Sequence, residues 1–267
     1  MKFRSRIFLS VWVAFALAAC GGSNSSSNGM PPAAASTVRV RFAEAAPELE
    51  TIINGVPGPI GSAYLQVNGQ TVSSQFDYAT ITPFLTTTPG TKSLTALNVL
   101  GYRVGPFKSA PLTGGKDYTL ALVGTYPRYR VLTFEEPAAS KGGAQLSFYE
   151  ASPAVPSADF GSFAASSQTN FKRLGSAKLG NVATVSLGGH VTNFGAYAGK
   201  GTTPFVCATT TGSKPPCGEL TPAGVDSFNQ RNELPYHNAS RLSLFLFDSD
   251  ESNPYGLFGP VFGSLDR

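Results

Sequence analysis

The stretch Val38-Arg39-Val40-Arg41-Phe42 alternates between apolar and charged residues, which is the period-two pattern of a half-buried β-strand. The longer segment Val40-Arg41-Phe42-Ala43-Glu44-Ala45-Ala46-Pro47 returns about 105 residues later as Leu146-Ser147-Phe148-Tyr149-Glu150-Ala151-Ser152-Pro153, with four of the eight positions identical. A looser match relates Phe76–Ile81 to Leu179–Val185. A repeat of this length is the size of a domain, so the sequence predicts two tandem modules.

The composition favours β structure throughout the chain. Only 13% of residues are charged, whereas glycine (29) and proline (20) are abundant, which suits short strands separated by turns and disfavours long helices. Asn68-Gly69 is a hairpin-type turn signal. Further strands are predicted at Ala63–Asn68, Ala79–Leu85, Leu94–Leu100, Tyr118–Gly124, Arg130–Glu135 and Arg241–Phe247. We therefore expect an all-β protein with two tandem immunoglobulin-like β-sandwich modules, at residues 37–138 and 143–267, joined across 137–143.

The first twenty residues have the composition of an export signal. Three basic residues precede the apolar run Ile7–Ala19, which is shorter than the roughly 20 residues that a membrane-spanning helix needs. The sequence Leu17-Ala18-Ala19-Cys20 resembles the lipobox of bacterial lipoproteins. This resemblance implies that residues 1–20 form a lipoprotein signal peptide and that Cys20 carries the acyl chains, palmitate among them. Gly21, in place of an aspartate, favours the outer membrane by the same resemblance; a plain secreted protein with an incidental Cys20 is the alternative.

The residues after Cys20 read as a tether, and removal of the leader changes the charge balance. Residues 21–36 are rich in Gly, Ser, Pro and Ala, a composition typical of a flexible linker. Three of the 20 Lys and Arg residues lie in the leader, which leaves 17 against 16 Asp and Glu. The pI of about 9.0 is thus no indication of nucleic-acid binding, and we expect no nucleic-acid partner.

Cys207 and Cys217 are the two cysteines that remain after Cys20. In an exported protein, two thiols so close in sequence are a candidate disulfide. A metal pair is the competing interpretation, although no histidine or third cysteine lies nearby in the sequence.

The repeated segments resemble the DUF4397 family, a group of exported bacterial β domains of unassigned function. The family pattern begins with a V-R-F strand followed by an H-A-S-P-D-A-P segment, to which Val40–Pro47 and Leu146–Pro156 correspond. Leu112–Leu120 resembles the later L-x-x-G-x-x-Y-T strand of the family. A glutamate, Glu44 or Glu150, replaces the family histidine in both copies.

Candidate residues for chemistry are few. His190 and His237 lack the Gly-x-Ser-x-Gly setting of a serine nucleophile, and no zinc-ligand pattern surrounds them. Asp248, Asp250 and Glu251 give a weak calcium-site candidate, with a solvated acidic turn as the simpler interpretation. For Glu44 and Glu150 we expect a structural role at the strand end. We assign seven aromatic residues mainly to the core, with ligand stacking as the alternative: Tyr126, Tyr129, Phe194, Tyr197, Tyr255, Phe258 and Phe262.

These patterns together predict a lipid-anchored protein of the cell envelope with a noncatalytic binding or structural role and no cofactor. Its expected partners are the membrane, through the anchor, and an envelope protein or a glycan. Two alternatives stay open. The chain could be an envelope hydrolase acting on glycans through paired carboxylates, or an assembly component of an outer-membrane complex that packs residues 253–262 on a partner.

Overall fold

The structure, a computed structural model, describes residues 36–46, 49, 52–53, 56–57, 63–78, 80–97, 101–138, 144–153, 156–162, 172–187, 193–198, 206–209, 217–222, 241–247 and 261–266. In residues 52–53, 56–57, 193–198, 206–209, 217–222 and 261–266 only the backbone is described. The described residues are nearly all in strands and turns, and residues 35–267 form one compact unit. None of the described segments is a helix long and apolar enough to cross a bilayer.

The described residues of the N-terminal half include ten strands. In chain order they are β1 (Val38–Ala45), β2 (Ile52–Ile53), β3 (Val56–Pro57), β4 (Tyr64–Val67), β5 (Gln70–Ser73), β6 (Leu85–Thr87), β7 (Ser93–Leu97), β8 (Arg103–Lys108), β9 (Asp117–Val123) and β10 (Arg130–Glu135).

Nine strands lie in the described ranges of the C-terminal half. They are β11 (Ala144–Glu150), β12 (Ser157–Ser162), β13 (Lys172–Lys178), β14 (Val182–Leu187), β15 (Asn193–Ala198), β16 (Val206–Thr209), β17 (Cys217–Pro222), β18 (Arg241–Leu246) and β19 (Val261–Asp266).

The N-terminal half is a sandwich of two four-stranded sheets with the orders β10-β9-β1-β6 and β5-β4-β7-β8. Alternate residues of β1 and β9, such as Phe42 and Leu120, point between the sheets, where they meet Leu65 of β4 and Leu94 of β7 in one buried cluster. Because successive side chains of a strand point to opposite faces, these positions form one apolar layer. This core is what the alternating sequence pattern predicts.

The C-terminal half is a nine-stranded sheet in the order β13-β12-β15-β16-β17-β19-β18-β11-β14. Buried residues of β11, β12 and β18, among them Phe148, Phe160 and Leu244, share one core, so the sheet closes over it in two layers. Strand β17 links the layers, because its first residues pair with β16 and its last residues pair with β19.

The two halves share one pairing pattern around the repeated segment. Strand β1 is parallel to β9 and antiparallel to β6, and β11 is parallel to β18 and antiparallel to β14. The registers equate Leu85, which pairs with Val40, with Val185, which pairs with Leu146. The looser sequence match had instead aligned Ile81 with Val185, and that alignment is wrong. It failed because few residue identities constrain the offset there.

Most predicted strands are observed, and the differences have physical causes. The strand at Arg130–Glu135 has the predicted bounds, and Asn68 (φ 50°) with Gly69 (φ 79°) makes the predicted hairpin turn between β4 and β5. The strand predicted at Ala79–Leu85 is wrong: only a single bridge at Ile81 precedes β6. Strand β1 is not half-buried as predicted, because both of its faces are covered.

Candidate functional site

The second covered face of β1 packs against the C-terminal half and forms a continuous apolar layer. The N-terminal half contributes three alanines together with larger side chains, and the C-terminal half contributes Tyr149, Phe245 and Phe247 together with Ala151. The ring of Tyr149 is stacked on that of Phe245 with centroids 4.3 Å apart and meets the ring of Phe134 edge to face with centroids 5.4 Å apart. Large and small side chains of the two halves therefore fill this layer together.

A charged side chain lies inside this layer. Arg41, on β1, is fully buried. Its Nε donates to Thr119 Oγ1 at 2.7 Å, and its Nη2 donates to a Glu136 carboxylate oxygen at 3.1 Å. The same Nη2 lies within hydrogen-bond distance of the Tyr149 hydroxyl (3.3 Å) and of Ser243 Oγ (2.8 Å). One guanidinium thus contacts β1's own sheet and two strands of the C-terminal half.

Glu136 is the countercharge of this cluster, and it follows β10 directly. Its side chain is only 4% exposed, and it accepts hydrogen bonds from the Tyr149 hydroxyl, at 2.5 Å, and from Thr119 Oγ1. Burial of an ion pair is favourable only if further hydrogen bonds satisfy the remaining donors and acceptors. Here hydroxyl groups of both halves supply them, so the pair is held in place by the fold on both sides.

Aromatic faces complete the surroundings of the guanidinium. The Arg41 Cζ lies 4.8 Å from the centroid of the Phe84 ring and 5.7 Å from those of Tyr149 and Phe245. Arg39, two residues earlier on the same face of β1, also lies 4.8 Å from Phe84, but its side chain is 55% exposed. Cation–π contacts of this kind strengthen when water is excluded, as it is at Arg41.

The carboxylates of Glu44 and Glu150 occupy equivalent places at the ends of β1 and β11. Both residues are fully buried. Glu44 accepts a hydrogen bond from the backbone N–H of Ala46 at 2.6 Å, and Glu150 accepts one from Ser152 N–H at 3.0 Å. Each carboxylate therefore fixes the backbone turn that follows its own strand, which is the structural role expected from the sequence.

Hydrogen bonds from the C-terminal half fix the start of the segment that connects the two halves. Arg241, at the beginning of β18, donates to the carbonyl of Pro137 at 2.7 Å, and Gln145 of β11 donates to the carbonyl of Ala138 at 3.2 Å. Glu136 immediately precedes this segment. The first residues of the connecting segment are thus hydrogen-bonded to the C-terminal half.

Several predicted site residues lie outside what the structure describes. These are Cys20, His190, His237 and the acidic turn with Asp248, Asp250 and Glu251. Cys207 and Cys217 are described by backbone only: they face each other as register partners in the parallel ladder between β16 and β17. No disulfide is shown, and the bond stays a prediction. Within the described ranges no three His, Cys, Asp or Glu side chains come together as a metal site.

The assignment of aromatic residues to the core is wrong for Tyr126, which is 44% exposed. It lies in the turn between β9 and β10, where the chain leaves the sheet. Tyr129, three residues on, is half-buried and packs on the core of the N-terminal half. The side chains of the other five aromatic residues are outside the described part.

Sequence reasoning missed Arg41 and Glu136 as a pair. A signal for it exists in the later copy of the repeat, where the positions corresponding to Arg41, Ala43 and Ala45 are Ser147, Tyr149 and Ala151. A strand face without charge indicates burial, and this face of β11 is the one that covers Arg41.

Comparison with protein families finds a match for part of this chain. Residues 51–161 form a DUF4397 domain, described as a domain of unknown function. The match begins after β1 and ends within β12, so it spans most of the N-terminal sandwich and the start of the next half. The match includes two of the segments on which the resemblance rests, Leu112–Leu120 and Leu146–Pro156, and confirms it there; it does not include Val40–Pro47. No curated protein matches the chain.

Proposed function

We propose that this chain is a lipid-anchored cell-envelope protein in which two tandem immunoglobulin-like DUF4397 modules form one noncatalytic binding body. The observation that carries the proposal is the Arg41–Glu136 pair, because it places a buried ion pair between the halves, with hydroxyl partners from both. Such an arrangement stabilises a fixed orientation of the modules. A fixed orientation presents the outer edges and loops of both modules as one rigid surface.

To test whether the protein is noncatalytic, the purified full chain is incubated with envelope glycans, and the release of reducing ends is measured. We expect no release above that of a heat-denatured sample. Release that is lost in Glu44→Gln or Glu150→Gln, with both variants folded by circular dichroism, would favour the hydrolase alternative. Both carboxylates accept backbone hydrogen bonds, which supports structure over proton transfer.

The anchor is tested at Cys20. Cells expressing the chain are labelled with radioactive palmitate, and the protein is recovered from outer-membrane and inner-membrane fractions. We expect label on the chain and recovery with the outer membrane; both are lost in Cys20→Ala. The double variant Cys207→Ala and Cys217→Ala is the matched control and keeps the label. Label that persists without Cys20 would contradict the anchor.

We also propose that Cys207 and Cys217 are oxidised to a disulfide. Neighbouring strands lie about 4.8 Å apart, within the range of Cα separations that a disulfide bridges, and the two residues are register partners. The bond would tie β16 to β17, the strand that links the two layers of the C-terminal half. Thiol titration of the unfolded, exported protein should find no free thiol. Two free thiols per chain would refute it.

A further inference from the structure

On one side of the N-terminal sandwich the edge strands of its two sheets lie together. Strand β8 is the last strand of one sheet and β10 is the last strand of the other. The edges contact each other: the rings of Phe107 and Tyr129 meet edge to face with centroids 6.2 Å apart, and Ala110 N–H donates to Thr133 Oγ1 at 3.0 Å. We call this side, residues 102–108 and 126–130, the cationic edge.

The cationic edge carries positive charge without a countercharge. Its exposed cations are Arg103, Lys108, Arg128 and Arg130. No aspartate or glutamate occurs at positions 101–116 or 124–134. Among the described residues none of these four cations has an ion pair or a side-chain hydrogen bond, whereas Arg39, Lys116 and Arg173 pair with neighbouring carboxylates. Four free cations in an otherwise nearly neutral chain create a local positive potential.

Exposed aromatic surface lies on the same edge. The described part of the chain has four exposed large hydrophobic side chains, and two of them, Tyr102 (41%) and Tyr126 (44%), belong to it. Each tyrosine also interacts with another group of the protein. At these exposures a large part of each side chain remains accessible to a ligand.

We propose that the cationic edge binds a linear acidic polysaccharide whose carboxylates meet the four cations and whose sugar rings pack on Tyr102 and Tyr126. Strands are extended, as such a polymer is. Tyrosine rings are amphipathic, so they can pack on the apolar faces of sugars while their hydroxyl groups remain solvated. Charge complementarity selects the anionic polymer, and the rings select a sugar over other polyanions. The proposal rests on the noncatalytic binding function above and names its ligand class.

The test uses the full lipidated chain in a nonionic detergent and immobilised polygalacturonate as the probe. Methyl-esterified polygalacturonate has the same backbone without the charge, and polyglutamate has the charge without sugar rings. The variant Arg103→Glu with Lys108→Glu reverses two charges of the edge. The matched control, Lys172→Glu with Lys178→Glu, makes the same change in net charge at two exposed lysines of β13.

We expect binding at about 150 mM salt that falls at least about tenfold on methyl esterification of the probe. The Arg103→Glu, Lys108→Glu variant should lose about tenfold or more, and the β13 control should change by less than about threefold. Tyr126→Ala should weaken polygalacturonate binding about fivefold and leave the weaker polyglutamate binding unchanged.

Three outcomes would overturn the proposal. They are equal losses in the edge variant and the β13 control, polyglutamate binding as tight as polygalacturonate binding, and displacement of the chain by phosphatidylglycerol micelles at a lower concentration of negative charge than soluble polygalacturonate requires. The last would indicate a membrane-binding edge. If these occur while the palmitate label and the absence of glycan hydrolysis persist, the ligand class is wrong and the anchored, noncatalytic body stands. Loss of the label or released sugar would instead refute the underlying function.

Discussion

Replacing Arg41 by methionine should destabilise the fold far more than the same change at Arg39. The two arginines lie on the same face of β1, each donates to a carboxylate at 3.1 Å, and each lies 4.8 Å from Phe84. They differ in burial, because the Arg39 side chain is 55% exposed and that of Arg41 is 0% exposed. This makes Arg39 a matched control for the effect of burial.

The magnitudes follow from that difference. Removing one partner of a buried ion pair costs about 3–5 kcal/mol, because the carboxylate of Glu136 is left buried without its countercharge. Breaking an exposed pair such as Arg39–Asp117 costs about 0.2–1 kcal/mol. If the free energy of unfolding falls by about 3 kcal/mol per M of urea, the unfolding midpoint should shift by about 1–1.7 M for Arg41→Met and by about 0.3 M or less for Arg39→Met.

The assay is urea unfolding followed by far-UV circular dichroism, since the chain's single tryptophan, Trp12, precedes the residues that the structure describes. The double variant Arg41→Met with Glu136→Gln should lose about 1–3 kcal/mol less unfolding free energy than the sum of the two single losses, because the buried carboxylate charge of Glu136 is also removed. Equal shifts for Arg41→Met and Arg39→Met, or strict additivity in the double variant, would refute the reasoning.

Three further outcomes follow from the described contacts. Tyr149→Phe removes the hydroxyl that donates to Glu136 at 2.5 Å and keeps the stacked ring, so thermal unfolding should show a loss of about 1–3 kcal/mol; a loss of a few tenths would contradict the hydrogen bond's role. Gly175→Ala would place a Cβ 2.7 Å from the Phe160 ring, which should cost about 1–3 kcal/mol and be relieved by Phe160→Leu. Burial of Lys92 lowers its pKa below the usual 10.5, so the folded state disfavours the charged form. Stability should therefore rise with pH as the pH approaches 10.5 from below, and urea midpoints across that range should lose this rise in Lys92→Met.

The sandwich of the N-terminal half was predictable because its strands carry their own evidence. The alternation in β1, the Asn68-Gly69 turn and the bounds of β10 are local features, and local features are what period and turn chemistry report. Strand β8 was missed because Gly105-Pro106 reads as a turn. An edge strand tolerates proline, since one side of its backbone needs no ladder partner.

The candidate site could not be predicted in the same way. The alternating pattern predicts that Arg41 is exposed to solvent. Its burial comes from the other half, about 100 residues later in the chain, which packs over it. Glu136 has no periodic context at all, because it follows β10 in an irregular segment. The exposed Tyr126 was assigned to the core on composition, yet its place in a turn between two strands sets its exposure. Long-range burial, more than local propensity, decides these three residues.

The layer shared by the two halves differs from an interface between identical subunits. Two identical subunits that meet through the same patch must be self-complementary, so a bulky ring on one is a bulky ring on the other. Halves that are joined in one polypeptide are free of that constraint. At equivalent positions of the repeat, Ala43 and Tyr149 both lie in this layer, one small and one large. Joining two related halves in one chain thus allows each position of the shared face to take its own size.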